Sequence, residues 1–297
     1  MIIVSSLIAP AIVLASQVGP NPAGNLQTDG HAELRDRQPR EGQQRENAAE
    51  PMPDPVSAWL SDCLDRLSDD ASRAHTMAQI RRNASYGAER VLANHCLGLA
   101  ATELGRWDDA ITAFGAARDE SPADEPRVRA RFGTMSGNAA LASGDPARAL
   151  PILEQAKADA QLSASAPLQA IAASDLARVY VAMNRSDAAL IELDAATRLQ
   201  PDVAEGWLLK ATLLRRLERF DEAQIAIERA GAIAPMESQI GLEAGVIAIL
   251  SGREEAARQS WQSVIDFQPG SLAAQTAQDY LAQLGEAGAE PDEQEPL

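Results

Sequence analysis

The chain has 297 residues, with 26 basic against 43 acidic side chains, a formal charge of −17 and a sequence pI near 4.6. That balance excludes a nucleic-acid binder, which needs a basic surface to neutralise phosphates; lysine occurs only at Lys157 and Lys210, and the arginines are interleaved with acids. A hydrophobic content of 45% belongs to a folded protein, while aromatic residues supply only 4%, so the core is expected to be alanine and leucine carried on helices.

Residues 1–15 (MIIVSSLIAPAIVLA) form an apolar run with the length of a secretory core and too short, with its proline, to cross a bilayer. Val13 and Ala15 occupy the small-residue places of a cleavage site, so the run is read as a signal peptide and the mature chain as beginning at Ser16. No Lys or Arg precedes it. An uncleaved apolar anchor, or a cytoplasmic protein with a misassigned start, therefore stays open as an alternative. Residues 16–55 are rich in Pro, Gly, Gln and mixed charge without periodicity, and are expected to be a disordered linker spanning roughly 35 Å as a coil.

Residues 56–90 read as a degenerate helix pair, with Trp59, Leu60, Leu64 and Leu67 on one face of its first helix. A repeat follows. Pro201, Pro235 and Pro269 stand 34 residues apart, each closing an apolar-periodic stretch. In that frame units start at residues 91, 130, 170, 204 and 238, with short insertions at 124–129 and 163–169 between the first units. Three columns carry the packing logic. Gly98, Gly137, Ala177, Ala211 and Gly245 are small, which lets a neighbouring helix approach; Phe114, Leu153, Leu193, Ile227 and Trp261 are large and fill the space; Ala110, Ala149, Ala189, Ala223 and Ala257 are small again. Gly105, Gly144 and Gly252 fall where the first helix needs a left-handed stop, Asn184 can serve there, and Glu218 reads as the exception. One hairpin cannot bury its own apolar face, so neighbours must stack. Residues 271–284 make an amphipathic capping helix, and 285–297 an acidic tail expected to be disordered.

Stretches such as LGRWDDAITAFGAARDESP, NRSDAALIELDAATRLQP and ERFDEAQIAIERAGAIAP resemble the second half of the tetratricopeptide repeat (TPR), over residues 91–269. The resemblance implies an all-α fold: an α-solenoid of about five TPR hairpins, with the degenerate N-terminal pair and the C-terminal capping helix. It departs from the family in the early Trp column, where only Trp207 is present beside Asn94, Gly133, Ala173 and Gly241, and in the Tyr column, which holds only Tyr180. That departure predicts looser packing of the first helices.

The two cysteines, Cys63 and Cys96, fall at nearly equivalent places on helices expected to lie side by side. A disulfide is geometrically reasonable there, and export would supply the oxidising compartment; two buried thiols are the alternative. His95 and Cys96 are adjacent on a helix and diverge by about 100°, so a shared metal ion with Cys63 and His75 is not expected, and neither is any cofactor.

By the resemblance, the first helix of each hairpin lines a guest-binding face at repeat places 2, 5, 9, 12 and 13. Those places hold Arg131, Asn138, Arg178, Arg215, Arg216 and Leu208, with Leu242, Val246 and Ile249 further on. Arginines in such a row can grip carboxylates of a peptide; solvated surface arginines are the plainer reading. His95 and Leu99 stand where carboxylate-clamp repeats carry Lys and Asn, so chaperone tails are not expected as guests. The chain is thus expected to be a non-enzymatic scaffold or assembly factor for a protein or peptide partner, in the periplasm. The alternative is a thiol or redox enzyme using Cys63 and Cys96. No residue selects the partner, and the oligomeric state stays open.

Overall fold

The computed structural model describes residues 55–287, and the expected signal peptide, nearly all of the linker and most of the acidic tail lie outside them. Among the described residues there are thirteen α-helices and no strand. They pair as hairpins: α1 (Pro55–Asp69) with α2 (Ala71–Ala84), α3 (Ala88–Glu103) with α4 (Trp107–Glu120), α5 (Pro126–Ala142) with α6 (Pro146–Leu162), and α7 (Ala166–Ala182) with α8 (Ser186–Leu199). The series continues with α9 (Ala204–Arg216) and α10 (Phe220–Ile233), then α11 (Ser238–Leu250) and α12 (Glu254–Phe267), and ends with α13 (Leu272–Ala287). Each hairpin packs on the next, and the first helices also touch one another along the series, which is the α-solenoid.

The size columns explain the nesting. A Cβ built on Gly98 would lie 2.5 Å from the Phe114 ring, one on Gly137 2.4 Å from Leu153, and one on Gly245 2.1 Å from Trp261 Nε1. Where the large residue is Leu193 or Ile227, alanine suffices at Ala177 and Ala211, and all four are buried. The expectation of loosely packed first helices is overturned by the same mechanism. Small residues in the Trp column draw the second helix inward instead of leaving a gap: a Cβ on Gly133 would meet Ala156 Cβ at 2.8 Å, and one on Gly241 would meet Val264 Cγ2 at 2.5 Å.

Two further expectations change. Much of the two insertions is helix rather than connecting loop: α5, α6 and α7 run to 17 residues, whereas α9 and α11 have 13. Pro126 and Pro167 sit in the first turn of α5 and α7, where a fixed φ favours helix entry and the missing N–H has no partner to lose. Glu218 is no exception at the helix stop, since its φ is +58°, beside +58° at Asn184 and +66° at Gly105. The turn between paired helices dictates the left-handed conformation, and the residue there bears a strain of about 1 kcal/mol when it is not glycine.

Buried charge also ties second helices together. Arg118 on α4 donates through Nε to Asp159 Oδ2 on α6 at 2.8 Å, both side chains being buried, and Arg129 on α5 stands 3.7 Å from the other carboxylate oxygen. Lys157 on α6 pairs with Glu192 on α8 at 2.6 Å.

Candidate protein-binding face

The expected guest-contacting residues fall on α5, α7 and α9, on the face of the first helices. Their environments differ. Asn138 on α5 donates through Nδ2 to Asp175 Oδ2 on α7 at 3.0 Å. Arg178, one turn on from Asp175, donates to Asp175 Oδ1 at 2.6 Å and pairs through its other terminal nitrogen with Glu205 at the start of α9. Arg215, near the end of α9, donates through Nε to Glu243 Oε1 on α11 at 2.6 Å. The face is therefore crossed by a polar ladder joining α5, α7, α9 and α11, each rung formed between neighbouring hairpins. Tyr280 on α13 extends it: burial raises its phenol pKa, Glu243 adds to the rise and Arg215 opposes it.

Arg131 is partly exposed on the same face, and Arg216 at the end of α9 is exposed. Leu208 is buried, in a cluster with Leu214 and Ile227. Leu242 and Val246 are buried in the cluster that Trp261 forms with Ala277 and Leu284 of the capping helix, with Ile249 packed against it. The structure thus brings Asn138, Arg178 and Arg215 together with carboxylates of this chain, whereas Ile171, Arg216 and Leu250 are exposed at places 2 and 13. Asp175, Glu205 and Glu243 were not singled out from the sequence. They lie 37, 27 and 28 residues from their partners Asn138, Arg178 and Arg215. A signal was present in the repeat frame: Glu205 holds place 2, one of the guest-contacting places, and Asp175 and Glu243 both hold place 6 of their units.

Cys63 on α1 and Cys96 on α3 are fully buried, with sulfurs 1.98 Å apart and Cα atoms 6.4 Å apart, a pair in disulfide geometry. Ala78, Leu97 and Ala113 enclose them, and Trp59, Leu60 and Met77 pack around that cluster. His95 and Phe132 meet in a T-shaped arrangement, with ring centroids 5.3 Å apart. His75 lies 3.8 Å from Asp109, and burial is the leading cause holding its imidazole pKa below the usual value. Among the described residues no group of three His, Cys, Asp or Glu side chains is placed to hold a metal ion, and no helix is long and apolar enough to cross a membrane.

Family profiles described as tetratricopeptide repeat match residues 95–161, 140–213 and 204–235. A TPR repeat-containing protein of Rhizobium etli is 30% identical over 141 residues, which make up 47% of this chain and 67% of that protein. Among solved structures, PilW, described as a widely conserved type IV pilus biogenesis factor, is similar with a TM-score of 0.60 at 16% identity, over 75% of this chain and 98% of its own. The pilF protein of Pseudomonas aeruginosa is similar with a TM-score of 0.57 at 17% identity, over 76% of this chain and 97% of its own. At these identities the two structures show a shared fold.

Proposed function

The chain belongs to the tetratricopeptide repeat family, and from that premise we propose that it is an assembly scaffold of the bacterial envelope, holding a protein or peptide guest along the face of its first helices and catalysing no reaction. The observation that carries this reading is the face itself. Successive first helices lie against one another, the places between them are occupied by the polar ladder, and Ile171, Arg216 and Leu250 stay exposed at its borders. Guest contact is assigned to Arg131, Asn138, Arg178, Arg215 and Arg216, with Arg216 the most open of them; Leu208, expected on this face from the sequence, is instead core between the helices.

A periplasmic location rests on the apolar run of residues 1–15 and on a cysteine pair that an oxidising compartment would close into a bridge. The description of PilW as a pilus biogenesis factor supports an assembly role and names no partner for this chain. Thiol chemistry at Cys63 and Cys96 is disfavoured, because an exchanging sulfur needs access and both are sealed in the core.

The test is capture of an envelope partner by the full chain, followed by affinity measurements with Arg216→Glu. That substitution reverses a charge at the border and breaks no rung of the ladder. Affinity should fall about fivefold and the salt dependence should weaken. Capture that is indifferent to Arg216→Glu in both respects contradicts the assignment of the guest to this face.

A further inference from the structure

Residues of α8, α9 and α10 enclose a cavity of about 380 Å³, large enough for a small ligand or an anchoring side chain. Leu190 and Ile191 of α8 and Leu214 of α9 give it an apolar lining. Leu214 is 1% exposed and Ile191 68%, so that lining runs from the core out to solvent. The guest-contacting residues of the first helices take no part in it.

Charge surrounds the apolar lining. Lys210 pairs with Asp194 at 2.7 Å, and Arg219 donates through Nε and Nη2 to the two carboxylate oxygens of Glu222 at 2.7 Å each. Both cations of the cavity are thereby committed to acids of this chain. Asp187 is different. It lines the same cavity, and among the described residues no hydrogen bond or ion pair holds its carboxylate. It stands in the first turn of α8, where the helix dipole favours negative charge.

The order of these residues along α8 gives the cavity a direction. Asp187, Leu190, Ile191 and Asp194 recur at the spacing of one helix face, an apolar pair with an acid at each end. Asp194 is taken by Lys210, so the open acid lies at the N-terminal end alone. From Ile191 back to Asp187 the helix rises about 6 Å, a length that the four methylenes of a lysine can follow. An anion entering here would meet two cations already closed by carboxylates. A wholly apolar group would cover Asp187 without answering its charge, which is costly. An aliphatic stem ending in an ammonium satisfies both parts, with its methylenes on the leucine and isoleucine and its head at the acid.

We propose that this cavity is a second interaction site, separate from the face of the first helices, which anchors a lysine side chain of a basic partner protein along α8 with its ammonium at Asp187. Charge complementarity supports the partner, since a chain of net charge −17 draws cationic proteins toward it. A second copy of this chain is a poor occupant. Its lysines are Lys157 and Lys210 alone, and they are held by Glu192 and Asp194.

Methyl NMR of the full chain, titrated with the tripeptide Ala-Lys-Ala blocked at both ends, tests the site. The peptide should move the Leu190, Ile191 and Leu214 methyl signals saturably. A counterpart with norleucine for lysine keeps the stem without the charge and should bind about fivefold more weakly. Asp187→Asn should weaken the lysine peptide by a similar factor and leave the norleucine peptide unaltered, whereas Ile191→Ser, at an exposed position, should weaken both. Methyl signals that do not move, equal binding of the two peptides, or lysine binding that survives Asp187→Asn overturns the proposal. Binding that is lost with Arg216→Glu instead of Asp187→Asn puts the peptide on the first helices, which refutes this site and leaves the scaffold standing. Failure to capture a guest on the first helices refutes the scaffold and leaves this site standing.

Discussion

Replacing Trp261 by alanine is expected to cost about 3–5 kcal/mol of stability, concentrated in α11, α12 and α13. The indole is 2% exposed, donates through Nε1 to the Leu242 carbonyl at 3.1 Å and packs on Tyr280 with centroids 5.0 Å apart, so one side chain fastens the last hairpin to its cap. The reciprocal substitution tests the cause. Gly245→Ala gains about 1 kcal/mol of helix propensity but forces a methyl into the indole, an overpacking cost of about 1–3 kcal/mol, so a net loss is expected. Adding Trp261→Leu to Gly245→Ala reproduces the size match that Ala177 makes with Leu193, and the double variant should be more stable than the two single losses added together. Urea unfolding with amide exchange as the local readout gives the cycle. A neutral Gly245→Ala, or strict additivity, would remove size complementarity as the reason for glycine there.

Thiol titration of protein unfolded without reductant is expected to find no free thiol, and two after reduction. The bridge spans 33 residues of sequence, and the chain-entropy model gives about 3–4 kcal/mol for a loop of that size. The effect should be local, because α1 packs chiefly on α2 and α3. Cys63→Ser, or reduction, should therefore collapse amide protection in α1 and α2 while α5 to α13 keep theirs, as expected of an array held by nearest-neighbour interfaces. Two free thiols in chain recovered from an oxidising compartment, or unaltered protection of α1 after reduction, would contradict the bridge.

The solenoid was legible in the sequence because its determinants recur at a fixed interval. Gly98, Gly137, Ala177, Ala211 and Gly245 form a column, the large residues form another, and a single misplaced helix would put both out of register. Helix lengths were less legible. The residues inserted before α5 and α7 could loop out or extend the helix, and Pro126 and Pro167 tipped them to helix through backbone preorganisation rather than periodicity. At Glu218 the turn geometry overrode the preference of the residue. The chemistry of the binding face was only half legible. Arg178 and Arg215 were visible as groove arginines, but Glu205 and Glu243, which hold them, belong to the next hairpin and stand in columns that are not acidic throughout: place 2 is acidic only at Glu205, and place 6 only at Asp175 and Glu243. Composition showed an acidic chain; only the three-dimensional arrangement shows two acids gathered on one buried arginine.

A guest of this protein is expected to lie across the first helices. A photo-reactive phenylalanine analogue placed at Arg216 or Leu250 on that face, and in turn at Ile225, which is 67% exposed on the second helix α10, tests it most directly in the full chain exposed to envelope extract. One partner crosslinked from Arg216 and Leu250 and absent from Ile225 is the expected result. Crosslinking of that partner from Ile225 with none from the first helices would contradict it.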